Sequence, residues 1–494
     1  VGERSAHVVA SVAQVGRGCI LAIVRTARGV PFPLPHGKAR AGVLLSSQPE
    51  VPERRLGRRR RLRGSAEVRR TAMPLRVFFP LVSLTYGIGN WFTYLALIVY
   101  VQTQAGSTAS AGLFVAQTVP ALLVAGHIAR AVPIESVRRA WIGCQITLAV
   151  MTVGAAFFVE HLWVVYVYAG SSMIVRAVAN PLLLSLVSSS VSASERPTVL
   201  RSVSATSAVT LAVAPAVGGS LLPVIGPTWL LLLNALMFVG VGAAMWAHGG
   251  VGRALRAARD HGGRTATELR TGSWFRLPGF AALVRVEGSD LWAWRQPYTR
   301  LWMLLLIAGA ILNIIETPLV FEVVKLGEAA YGWMLAAYGC GGLVVLLSNL
   351  RRGRARDLAH GNDRLHTSIS GVALAAGFLA VSVVALVRPS ELATVVTAVG
   401  AFFLLGYGAS WLSGTSRAWL NSSFQDQGDS VTKAMWTWAS QVTLAINLVV
   451  YLAFFVIYAL VPTGAWMLVP ALVAYGTLLV ALARTRSPRT LLVG

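Results

Sequence analysis

The chain has 494 residues, of which 55% are hydrophobic and 13% charged, with a mean hydropathy of +0.64. Water-soluble domains carry charge at about a quarter of their positions, so this composition excludes a soluble enzyme. The formal charge of +24 would suit nucleic acid, but it sits in a basic leader and in short loops beside apolar runs. There it sets topology, and no nucleic-acid partner is expected.

Residues 1–72 differ from the rest of the chain: they hold 15 Lys and Arg against 4 acids and contain no Met. They include the run Arg58-Arg59-Arg60-Arg61 and a Pro-rich patch at Pro31–Pro35. The apolar stretch His7–Val24 is interrupted by Arg17, and no signal-peptide pattern is convincing. The expectation is that Met73 is the physiological start and that the leader is an over-extended reading frame. The alternative is a disordered basic tail drawn to anionic lipid.

Twelve apolar segments occupy 75–102, 109–130, 138–159, 161–189, 199–223, 226–248, 299–324, 328–350, 366–387, 391–415, 431–461 and 464–484. Each approaches the roughly 20 residues needed to cross a bilayer, and in hydrocarbon the backbone must satisfy itself, so each is a helix. Turn residues separate several of them, as at Pro223–Pro227 and Pro462-Thr463-Gly464. The layout is an all-α membrane protein with six helices in residues 73–248, a charged linker over 249–298, six helices in 299–484 and a tail over 485–494. In the linker, Trp274–Leu277 and Phe280–Leu283 suggest an interfacial helix. Trp292, Trp294, Tyr298 and Trp302 suggest an aromatic belt.

Charge tests the count. With the N-terminus inside, the inner loops hold 20 Lys and Arg and the outer loops hold 2, Lys325 and Arg388. That bias puts both termini in the cytoplasm.

Three motifs stand out. The fifth segment carries Ala214-Pro215-Ala216-Val217-Gly218-Gly219, where Pro removes a helix bond and the glycines allow close backbone approach. Ordinary small-residue packing explains it equally well from the residues alone. The loop after the second segment reads Gly126-His127-Ile128-Ala129-Arg130, then Glu135 and Arg138-Arg139. The first segment carries Gly89-Asn90.

With the six-plus-six layout, these features resemble the major facilitator superfamily over residues 75–484, in particular its twelve-helix efflux branch of macrolide and siderophore exporters. The resemblance makes Ala214, Pro215, Gly218 and Gly219 an antiporter-like motif, with Ala214 in place of a glycine. It makes Gly126, Glu135, Arg138 and Arg139 a cytoplasmic gate loop lacking the usual Asp, for which Glu135 could substitute. Asn90 stands where related exporters often carry Asp, so a proton site there is absent. It also implies a central cavity lined by the first, fourth, seventh and tenth helices, with Asn90, Arg176, Asn180, Asn313 and Trp411 on them.

Charges deep in apolar helices are functional candidates by default. Arg176 lies mid-way along the fourth segment, and Glu316 lies in Asn313-Ile314-Ile315-Glu316-Thr317-Pro318 of the seventh. Asn313 and Glu316 are three apart and share a helical face. Glu316 is the candidate proton carrier, with Arg176 biasing its charge, because a buried carboxyl beside a cation changes its proton affinity when conformation alters either neighbour. The competing reading gives both residues structural roles. Glu322 and Lys325, at the outer end of the seventh segment, read as solvated, as do the loop-edge His127, His161, His248 and His360.

No phosphate-binding Gly-rich loop and no His-Glu-x-x-His occur, and the three cysteines show no metal-ligand spacing. No cofactor or metal is expected, and Ser410 has no membrane His partner for an intramembrane hydrolase. The expectation is a monomeric, multi-pass plasma-membrane transporter for proton-coupled efflux of small amphiphilic molecules, such as a drug, macrolide, siderophore or secondary metabolite. The alternative is a non-transporting scaffold or sensor.

Overall fold

The computed structural model describes residues 73–131, 136–192, 195–252, 297–352, 362–387, 390–425 and 429–484. Among them every extended regular element is a helix. In chain order these are α1 Leu75–Ala131, α2 Val137–Phe157, α3 Leu162–Ser190, α4 Arg196–Ala247, α5 Pro297–Pro318, α6 Glu328–Arg352, α7 Asn362–Val387, α8 Glu391–Gln425, α9 Asp429–Leu460 and α10 Leu468–Arg484. All ten are long and apolar enough to cross a membrane. Large apolar side chains such as Val150, Trp163, Trp229 and Leu236 are exposed, as befits a surface whose solvent is lipid.

Two helices are far longer than one crossing, α1 with 57 residues and α4 with 52. Each is interrupted at one glycine, Gly106 with φ 74° and ψ −169°, and Gly226 with φ 75° and ψ 170°. Positive φ with ψ near 180° is a glycine conformation, because a Cβ would clash there. Both glycines lie at junctions expected from sequence, between the first and second segments and between the fifth and sixth.

The seventh predicted segment is α5 continued by a π-helical turn, Leu319–Val323. Its cause is Pro318, which has no N–H to give to the Ile314 carbonyl. The buried Tyr458 hydroxyl donates to that carbonyl instead, at 3.4 Å. Beyond the proline the ladder is wider, with Val324 N–H bonded to Leu319 O at 2.8 Å. Neighbouring helices commonly satisfy carbonyls freed by proline in this way.

The N-terminal helices α1–α4 pack around Phe79, Trp141, Leu186 and Met245. The C-terminal helices meet them mainly where α6 lies on α4 and α9 lies on α1. The α4–α6 seam is made by small residues: a Cβ on Gly219 would stand 2.7 Å from the Cα of Gly332, and one on Gly332 would strike the Pro215 carbonyl. Gly339 fits against Leu211, whose carbonyl Pro215 leaves without its helical donor. Gly170 of α3 likewise faces the Ala116 carbonyl freed by Pro120, 2.9 Å from where its Cβ would be. Proline on one helix and glycine on its neighbour thus form a repeated packing device. Trp302, expected in an interfacial belt, is instead buried at 3% exposure against Trp438, with ring centroids 5.9 Å apart. The other proposed belt and linker residues lie outside the described side chains.

Candidate functional site

One face of α1 presents Tyr86, Asn90 and Tyr94, four residues apart and so stacked along the helix. This stripe meets different partners at its two ends. At one end the Tyr94 hydroxyl donates to Glu316 Oε1 at 3.2 Å, and the Tyr331 hydroxyl from α6 donates to the same oxygen at 3.0 Å. The two hydroxyls are 3.4 Å apart, and Thr317 Oγ1 lies 3.1 Å from that of Tyr331. Glu316 is only 5% exposed. Tyr451 of α9 adds a third ring, close enough to interact with Glu316 and approached by Asn313. A tyrosine hydroxyl can donate to a carboxylate or turn to accept from a carboxyl, so this setting serves either protonation state.

At the other end Tyr86 lies within electrostatic range of Arg176 on α3 and beside Asn90. Among the described residues Arg176, expected to bias the charge of Glu316, makes no contact with it. The reason is geometric: Arg176 faces Tyr86, about 12 Å down α1 from Tyr94 at a rise of ~1.5 Å per residue, while Glu316 meets Tyr94. Arg176 Nε and Nη2 and Asn90 Oδ1 are buried without a hydrogen-bond partner among the described residues. Of the remaining cavity candidates, Asn180 and Asn313 are exposed and Trp411 is buried.

Glu322 departs from its solvated reading. It is half-buried and forms a bracket at the bend of α1: Gln102 Nε2 and Ser107 Oγ each donate to its Oε1 at 2.5 Å, and the Thr463 hydroxyl donates to Oε2. Ser110 Oγ in turn donates to Gln102 Oε1 at 2.7 Å. The carboxylate therefore joins the Gly106 bend of α1 to the α9–α10 connection.

Of the gate-loop residues, Arg138 donates to the carbonyls of Met245, at 2.9 and 3.2 Å, and Trp246, at 2.6 Å. It thereby caps the C-terminal end of α4, where helix carbonyls lack partners and a cation is favoured. Arg139 is exposed; Gly126 is described only as helical backbone, and Glu135 lies outside the described residues. His248 is not simply solvated: its ring lies on Phe78 with centroids 4.1 Å apart, and its Nε2 is 2.9 Å from the Met73 carbonyl oxygen. In the motif of α4, Gly219 makes the seam with α6, and Gly218 faces Leu95 and Phe92 of α1. Sequence reasoning missed Tyr94, Tyr331, Gln102, Ser107 and Thr463, although the four-residue spacing of Tyr86, Asn90 and Tyr94 was a usable signal.

The family profile described as the Major Facilitator Superfamily matches residues 79–441. This chain belongs to that superfamily. It is a multi-pass membrane transporter by family and fold, and not an enzyme. Similar solved structures include a bacterial homologue of the iron transporter ferroportin in an inward-facing state, with TM-score 0.55 and 15% identity over 83% of this chain and 99% of that one. The nucleoside transporter NupG has TM-score 0.53 and 14% identity over 83% of this chain and 98% of its own. An auto-inhibited peptide transporter of the POT family has TM-score 0.57 and 13% identity over 84% and 98%. At these identities the likeness is one of fold. No curated protein matches the chain significantly.

Proposed function

We propose that this chain is a proton-coupled secondary transporter that exports small amphiphilic molecules by alternating access. The observation that carries the reading is Glu316, buried and held by one tyrosine from each group of helices, Tyr94 from α1 and Tyr331 from α6. A carboxyl gripped from both sides can gain or lose a proton as the groups move relative to one another. Splitting α1 at Gly106 and α4 at Gly226 supports the reading of twelve crossings, and the 20-to-2 loop charge supports cytoplasmic termini; the reading takes the protein as a plasma-membrane monomer. The Glu322 bracket fits a closure at the outer end, since it ties α1 to α5 and to the α9–α10 connection. Gly218 and Gly219, with Ala214 and Pro215, support export through the antiporter-like pattern.

Proteoliposomes carrying the full chain, loaded with a panel of amphiphilic dyes under an imposed pH gradient, test this. Gradient-dependent dye movement that Glu316→Gln abolishes is expected, and movement indifferent to the gradient would overturn the coupling. The scaffold or sensor alternative draws on Asn90, which cannot carry a proton. It is favoured if no dye in the panel accumulates differently in cells with and without the protein.

A further inference from the structure

Arg176 is a cation at the midpoint of the 29-residue helix α3, and leaving it without a counter-charge is costly. No hydrogen bond among the described residues reaches its Nε or Nη2, both of which are buried. These two nitrogens form one edge of the guanidinium, the edge whose parallel N–H bonds match the two oxygens of a carboxylate. Arg176 as a whole is half-buried.

Its surroundings repeat the pattern. The Tyr86 hydroxyl, a second donor, is buried beside the Asn90 side chain and within electrostatic range of the guanidinium. Asn90, one turn further along α1 and beside Tyr86, has a side-chain oxygen with no partner and an amide that can donate. On α2, Gln145 is wholly buried with both amide atoms unpartnered, on the face whose Leu148 and Ala149 pack against Tyr86. An unpaired guanidinium edge with an orphaned amide oxygen on the facing helix is not a finished structural network, because each buried group costs about 1–3 kcal/mol while unsatisfied. Donors outnumber acceptors among them, so the missing partner is rich in acceptors.

We propose that Arg176, with Tyr86 and Asn90, forms an anion subsite that takes the carboxylate of an organic acid. The ring and apolar surfaces of Tyr86 and Phe238 beside it suit an aromatic or aliphatic body. Position at mid-helix separates the subsite from lipid headgroups, which makes the occupant a freely diffusing acid. This inference rests on the transporter reading and narrows its amphiphiles to those with an acidic end. It is independent of proton coupling, since Glu316 lies at the far end of the stripe.

The test is direct binding to the full chain in nanodiscs, followed by calorimetry, with 1-naphthaleneacetate and its uncharged amide as matched probes. The acid is expected to bind at least about tenfold more tightly than the amide. Arg176→Gln should bring the acid down to the level of the amide while amide binding is unchanged, which also reports that the variant is folded. Arg176→Lys should retain part of the preference, and Tyr86→Phe should reduce it. Equal binding of acid and amide to the wild type, or a preference that survives Arg176→Gln, overturns the subsite. Should the acid bind preferentially yet never cross a proteoliposome membrane, the transport reading fails and the subsite stands.

Discussion

The Tyr94 hydroxyl and the Glu316 carboxylate meet at 3.2 Å, although 222 positions separate them in the chain. With Tyr331 at 3.0 Å on the same oxygen, the pair makes the acid a shared possession of two helix groups. Each neutral hydrogen bond contributes about 1 kcal/mol, and bonds to an ionised carboxylate contribute roughly 1.5–3 kcal/mol. Tyr94→Phe and Tyr331→Phe should each lower stability by that order and alter the pH dependence of transport. Glu316→Gln keeps the side-chain shape and should remove dependence on a pH gradient. Dye flux in proteoliposomes at several imposed gradients measures both effects.

The Glu322 bracket predicts an accessibility change. Glu322→Ala deletes the acceptor of Gln102, Ser107 and Thr463, leaving three donors without it. A cysteine at the buried Ser110 should then react faster with a membrane-impermeant maleimide added on the side of the Gly106 bend. Unchanged labelling would remove the closure role from Glu322.

The α4–α6 seam is sensitive to volume. Gly219→Leu must push aside the backbone of Gly332, 2.7 Å from the new Cβ, and overpacking typically costs ~1–3 kcal/mol. Gly143→Ala in α2 meets nothing within 4 Å and should be neutral or slightly stabilising, as alanine is the better helix former. Thermal unfolding in one detergent compares the two. Transport by Gly219→Leu should fall further than its stability does, because the proposed alternating access requires movement across this seam.

Gly226 isolates backbone strain from packing. Its φ is 75°, yet nothing beyond its own stretch of backbone lies within 4 Å of where a Cβ would stand. Gly226→Ala should therefore destabilise by about 1–3 kcal/mol through conformation alone. Thermal unfolding checks it, and a neutral result would show that the bend relaxes.

Tyr458 and Pro318 should be coupled. The tyrosine supplies the donor that the proline withholds from Ile314 O, so Tyr458→Phe should cost about 1 kcal/mol in the native chain. In a Pro318→Ala background the backbone N–H returns, and the same change should cost less. A double-mutant cycle of thermal stability measures this coupling.

The membrane class and the main helices were legible in the sequence because hydrocarbon imposes a one-dimensional rule: about 20 apolar residues for each crossing. The gaps between apolar segments marked where α1 and α4 bend, but not that Gly106 and Gly226 make the bends. Arg176 and Glu316 announced themselves by the cost of charge in an apolar run. Their partners did not. Glu316 belongs with Tyr94 and Tyr331, Glu322 with Gln102 and Thr463, and Arg138 with the end of α4. Those pairings join positions far apart in the chain, and periodicity carries no information about which helix lies beside which. Only the packing of α1 against α3 and α5, with Tyr331 reaching in from α6, decided that Arg176 and Glu316 stand at opposite ends of one polar stripe.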